Sequence, residues 1–187
     1  MQIKNLLKYL IVFAAFVLIT LQVKSQDSTE ASENIAYSLP VMRILDLEGP
    51  PPSLTFIVPT NGGALIADVS SNTSWLNYTS ITENGNTNKI TVSISGDNVP
   101  AGTKFKVQAS EYTGNGDGEM GTPTGLVVLS ASSQDLITGI GSCYTGTGTA
   151  NGHQLTYTWT IEPDGYSSLA AVGSSTITAT YTIIAGL

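Results

Sequence analysis

The sequence predicts an all-β protein: an immunoglobulin-like antiparallel β-sandwich of eight or nine strands, preceded by a signal peptide. Three observations lead there. In residues 153–161, Leu155, Tyr157, Trp159 and Ile161 alternate with Gln154, Thr156, Thr158 and Thr160. In residues 174–184, Ile177, Ala179, Tyr181 and Ile183 alternate with Thr176, Thr178, Thr180 and Thr182. A strand sends successive side chains to opposite faces, so both segments offer one apolar face to a core and one hydroxyl-rich face to water. Turn signals rich in Gly, Pro and Asn recur every eight to twelve residues, and no amphipathic helix longer than a turn follows the leader. A closed barrel is the other architecture that satisfies this pattern.

The chain starts with a leader. Lys4 and Lys8 precede an apolar run over residues 9–21, broken only by Thr20, and Val23 and Ser25 stand at −3 and −1 before Gln26. Residues 1–25 therefore read as a cleavable signal peptide, which makes the product secreted or held at the cell surface. An uncleaved anchor is the alternative, but the run falls short of the ~20 apolar residues that span a bilayer. No stable membrane span is expected after cleavage. Without the leader, four basic residues face fourteen acidic ones, a net charge of −10. That balance excludes nucleic acid, which needs clustered cations to neutralise phosphates, and an electrostatic hold on anionic lipid. Cys143 is the only cysteine, so no disulfide can form within the chain; it reads as a small buried hydrophobe, with intermolecular pairing or a reactive thiol as alternatives.

Residues 26–52 form an N-terminal extended segment and a Pro-rich connector. Ile35, Tyr37, Leu39 and Val41 fall at alternate positions, and Ile44, Leu45 and Leu47 follow. Pro40 removes a ladder donor, so the run is an edge strand, a bent strand or two pieces. Gly49-Pro50-Pro51-Pro52 then acts as a stiff polyproline spacer that holds the apolar segment off the body.

The body, residues 53–187, is the β-sandwich domain. Short strands are expected at 53–58, 65–69 and 75–81, separated by a turn at Asn61-Gly62-Gly63. After Asn84-Gly85-Asn86, residues 89–95 point Ile90, Val92 and Ile94 inward. Residues 104–112 do the same with Phe105, Val107 and Ala109, so these two runs read as neighbouring strands. Residues 113–125 read as a long Gly-rich loop, 126–129 as a strand covered on both faces, and 134–140 as a further strand. A Gly/Thr loop over 141–152 leads into the closing pair.

Chemistry finds little purchase. The only histidine, His153, reads as a surface residue at a strand start, and one His with one Cys builds neither a tetrahedral zinc site nor a convincing dyad. Asp117 and Glu119 sit in the Gly-rich loop as solvated acids. Asn115-Gly116-Asp117-Gly118-Glu119 resembles the start of a calcium loop, but Met120 and Leu126 occupy the places of its Gly and Glu. No catalytic residue, metal or cofactor is expected, and the chain is not read as an enzyme. Trp159 is assigned to the core. Trp75 and Tyr78, in or beside loops, are the glycan-binding candidates. Asn72-Thr73-Ser74 and Asn77-Tyr78-Thr79 match the N-glycosylation sequon.

The closing strand, with alternating Thr and apolar residues and Tyr181 near its end, is similar to the last strand of fimbrial subunits of the chaperone–usher kind. The leader, the single sandwich and the apolar N-terminal segment also resemble that group. The resemblance implies an incomplete sandwich whose missing strand comes from the N-terminal extension of another subunit. Ile35, Tyr37, Leu39 and Val41 would be the inserted side chains, and the partners would be further copies or related surface subunits. Pro40 and the absent disulfide depart from the family pattern. The expectation is thus a secreted or cell-surface structural subunit, fimbria-like, assembling by β-strand addition. The alternative is a monomeric extracellular module binding a glycan or a protein, and a small exported hydrolase is the third reading.

Overall fold

The structure, a computed structural model, describes residues 29–96 and 99–186. The leader expected at 1–25 lies outside the described residues. Residues 29–38 fall outside the compact unit Leu39–Leu187, form no strand or helix, and are exposed throughout.

The compact unit is all-β. Its strands follow in the order β1 (Met42–Glu48), β2 (Val69–Ile81), β3 (Asn88–Gly96), β4 (Thr103–Ala109), β5 (Asp117–Gly118), β6 (Thr122–Pro123), β7 (Leu126–Val128), β8 (Gln134–Ile140), β9 (Cys143–Tyr144), β10 (His153–Ile161) and β11 (Ile177–Ala185). Two antiparallel sheets pack face to face, as strands with one apolar face require. The first runs β5-β9-β2-β10-β4-β7, with β1 along the other side of β2; the second runs β11-β3-β8-β6. Leu76, Ile90, Val107, Leu136 and Leu155, from both sheets, are fully buried between them.

The alternation in the closing pair holds. His153, Leu155 and Tyr157 are buried on β10, and Ala179, Tyr181 and Ile183 of β11 pack on the core. Among the described residues β11 bonds only to β3, with Tyr181 opposite Val92, so it is an edge strand and its inner face is half-buried. The Tyr157 and Tyr181 hydroxyls meet at 2.6 Å, joining the two sheets through their middle.

Several expectations are corrected. Residues 53–58 form no strand, and β2 begins at Val69 rather than Trp75, because polar residues at 70–74 hide its first half. β3 and β4 are not bonded neighbours: they lie in opposite sheets, so their connection crosses the sandwich. Alternation says which face of a strand is buried, not which strand lies beside it. β7 is an edge strand with Leu126 56% and Val128 39% exposed, so it is covered on one face only. The segment 113–125 is not a plain loop. It contributes β5 and β6, and it buries Met120. These very short strands raise the number among the described residues to eleven.

Candidate functional site

The sandwich is open along one side, and the opening follows from how β1 ends. β1 pairs with β2 from Met42 opposite Ile81 to Glu48 opposite Trp75, and then stops. Gly49 takes a positive φ of 91°, and a side chain there would collide with the Thr73 carbonyl, so only glycine permits this departure. On its other edge β2 bulges against β10 between the Leu155 and Tyr157 pairings, which places Thr73 and Ser74 beside the turning chain. Their hydroxyls donate to the Pro50 carbonyl at 3.0 and 3.3 Å.

Among the described residues the first half of β2 thus lacks a strand partner on that side, and the second sheet ends in β11. Between them lies a cleft of about 1050 Å³. Phe105, Tyr157 and Trp159 line it from the first sheet, and Ile177 and Ala179 from the second. The Pro-rich connector, together with residues 53–58 that follow it, crosses this opening. Pro52, Leu54 and Phe56 are half-buried, whereas Pro51, Ser53, Thr55 and Ile57 are exposed. Leu54 packs against the core, and the Phe56 ring stacks on Trp159 with centroids 4.1 Å apart. Trp159 stacks on Phe105 as well, at 5.2 Å, but its indole Nε1 is buried with no hydrogen-bond partner.

The connector does not hold an apolar segment away from the body, as its composition implies, but is laid over the gap between the sheets. Among the described residues no backbone hydrogen bond holds positions 51–58. Only side chains and the Pro50 carbonyl attach it. Trp159 lies on the predicted inner face but at the open end, half-buried rather than in the core.

The strand-addition candidates are all outside the sheets. Ile35 is 82% exposed, Tyr37 94%, Leu39 73% and Val41 41%. The strand of this region is its second piece, β1, which pairs inside the sandwich, whereas the sequence pattern places the domain start at Ser53.

The glycan candidates separate. Tyr78 is 3% exposed, and its hydroxyl donates to the Met120 carbonyl and lies 2.8 Å from His153 Nε2. It presents no ring face to a sugar. Trp75 is half-buried on the outer face, between Glu48 and Gln154 in register on either side. One aromatic side chain is left where a platform needs several. Of the two sequons, Asn72 is exposed, whereas Asn77 is buried with its amide donating to the Gly148 carbonyl.

His153 is fully buried, not a surface residue, because it points inward at the start of β10. Its Nδ1 lies 2.8 Å from the Ser110 carbonyl. Between the Ser110 and Met120 carbonyls there are three gaps to fill: Ser110 to Nδ1, Nε2 to Tyr78, and Tyr78 to Met120. A neutral imidazole and a phenol supply two protons. A third would complete the chain but would charge a buried ring. Burial prevails and lowers the His153 pKa, against the opposing pull of the Ser110 carbonyl, Glu111 and the Met120 carbonyl. Burial likewise raises the Tyr78 pKa, with Cys143 and Tyr112 adding to it. Cys143 is a buried free thiol, pushed up to about 11 by burial and by Glu119, so it is not a thiolate at neutral pH. Among the described residues no three His, Cys, Asp or Glu side chains gather as a metal site.

Sequence reasoning missed the role of Leu54 and Phe56. Their period-two spacing with Pro52 was visible but is equally the mark of a strand. No family model, no curated protein and no solved structure matches this chain.

Proposed function

We propose that this chain is a secreted or cell-surface structural subunit, fimbria-like, which assembles by β-strand addition and has no catalytic role. The observation that carries this reading is the edge of β11, unpaired among the described residues, beside a cleft with Phe105, Tyr157 and Trp159 on its wall. An unpaired edge is a template for another strand, and alternate side chains of that strand fill the pockets behind it. Ile35, Tyr37, Leu39 and Val41 offer such a set of alternating side chains, all exposed. Pro40 is compatible with this role. Successive residues of a strand bond to opposite sides, so a ladder made by residues 35, 37, 39 and 41 leaves Pro40 on the far edge.

The test compares the mature chain from Gln26 with its Ile35→Asp/Leu39→Asp variant by size-exclusion chromatography with light scattering. Both substitutions fall on exposed side chains, so the fold is expected to be unchanged. The mature chain should form species larger than a monomer as concentration rises, and the variant should remain monomeric. A mature chain that stays monomeric, or a variant that assembles equally well, overturns the reading.

A further inference from the structure

Resting on that reading, we propose that residues 53–58 are a removable plug: they occupy the acceptor cleft of each monomer until residues 35–41 of a second copy displace them. The plug is a segment without a ladder whose Leu54 lines the cleft and packs on the core, and whose Phe56 stacks on Trp159 at the cleft wall. Leu54 shows that an apolar side chain of a passing segment can be seated there. Its hold is one-sided. Leu54 and Phe56 contact the sandwich, but among the described residues no ladder joins the segment to the outer edge of β11 or to β2. The plug fills its place incompletely: beside it remains a cleft of about 1050 Å³, of which Ser53, Leu54 and Thr55 form one wall.

An incoming strand can offer both kinds of interaction, side chains for the cleft and backbone groups for the β11 edge, whereas the plug offers only the first. The exchange therefore runs toward assembly once copies meet, while in the lone monomer Phe56 stacks on Trp159. Gly49 and the three prolines permit this arrangement. Gly49 breaks from the ladder, and Pro50, Pro51 and Pro52 lack the N–H groups that would bind the connector to a neighbouring strand. The connector is thus attached firmly at β1 and weakly beyond it.

The test uses a mature chain carrying Ile35→Asp/Leu39→Asp, which cannot donate, and Trp75→Phe, which leaves Trp159 as the sole tryptophan. The probe is a synthetic peptide of residues 33–42. Binding is followed by Trp159 emission, and its position by amide hydrogen exchange along β11. Phe56→Ala in this background should bind the peptide about tenfold more tightly than the parent, since one aromatic stack no longer competes. Amides at the cleft end of β11 should become protected in both. A urea midpoint for Phe56→Ala lowered by no more than the lost stack with an unchanged m-value, and a parallel Phe56→Leu variant of intermediate affinity, separate plug release from misfolding. Equal affinity of parent and Phe56→Ala, or weaker binding by the variant, overturns the plug and leaves strand addition standing. No binding to either, or binding without protection of β11, overturns the acceptor assignment itself.

Discussion

Strand β10 connects two ends of one sandwich that are closed by different means. At its start His153 and Leu155 have no exposure; six residues on, about 20 Å along the strand, Trp159 stands half-buried at the cleft. The His153 end is closed by backbone. Thr113 donates to the Gly152 carbonyl at 3.1 Å, Gly141 to Glu119 at 3.0 Å, and Thr145 to Tyr78 at 3.0 Å. Gly152 makes this approach possible: its φ is 75°, and a side chain there would strike the Leu76 carbonyl. The Trp159 end is closed by the side chains of a connector with no ladder of its own. Backbone bonds form a network that opens only as a unit, whereas a few side-chain contacts can be exchanged one for another. The first end therefore sets the stability of the fold, and the second is the end at which the proposed strand exchange would take place.

The largest expected difference comes from removing one polar atom at the closed end. Tyr78→Phe deletes the hydroxyl that donates to the Met120 carbonyl and meets His153 Nε2, leaving both in a dry site. Stranding buried polar groups costs about 1–3 kcal/mol. Urea unfolding should show a loss in that range with an unchanged m-value. A loss below ~0.5 kcal/mol would mean that this chain of bonds does not close the end.

Acid should loosen the same end more gently. The folded His153 pKa lies below its ordinary value of 6.5, so the unfolded chain binds the proton first as pH falls. Stability from this group is full above pH about 6.5 and declines as pH falls from there through the lowered folded value. Urea midpoints at pH 7.5, 6.5 and 5.5 should therefore fall in that order beyond the slope of the carboxylates, and His153→Gln should remove the excess. A midpoint that rises on acidification would mean that the third proton outweighs burial.

Much of this division was legible in the sequence, and the reason is physical. Period-two spacing reports burial directly, so the inner faces of β10 and β11 and the sandwich class could be read from Leu155, Tyr157, Tyr181 and their neighbours. It carries no information on pairing, which is why β3 and β4 were expected side by side although they belong to opposite sheets. It also cannot separate a strand from an extended segment without a ladder, so residues 53–58 read as a strand. His153 read as exposed because one polar residue at a strand start has no periodic signature. Its partners, Tyr78, Ser110 and Met120, come from distant parts of the chain.

The smallest expected effect is at the open end, and it sharpens the contrast most. Trp159→Phe also deletes one buried polar atom, but there the atom is idle: the indole Nε1 is out of water and without a partner. Its removal relieves a cost of about 1–3 kcal/mol for an unsatisfied buried donor. The smaller ring gives up apolar contact of similar worth. Phenylalanine can still stack on Phe56 and Phe105. The two changes offset, so the urea midpoint should correspond to within ~0.5 kcal/mol of the parent. The same chemical deletion, a polar atom from an aromatic ring, then costs stability at one end of β10 and almost none at the other. A loss for Trp159→Phe as large as that for Tyr78→Phe would show the indole to be engaged and the cleft closed as firmly as the His153 end, and a connector held that tightly could not act as a plug.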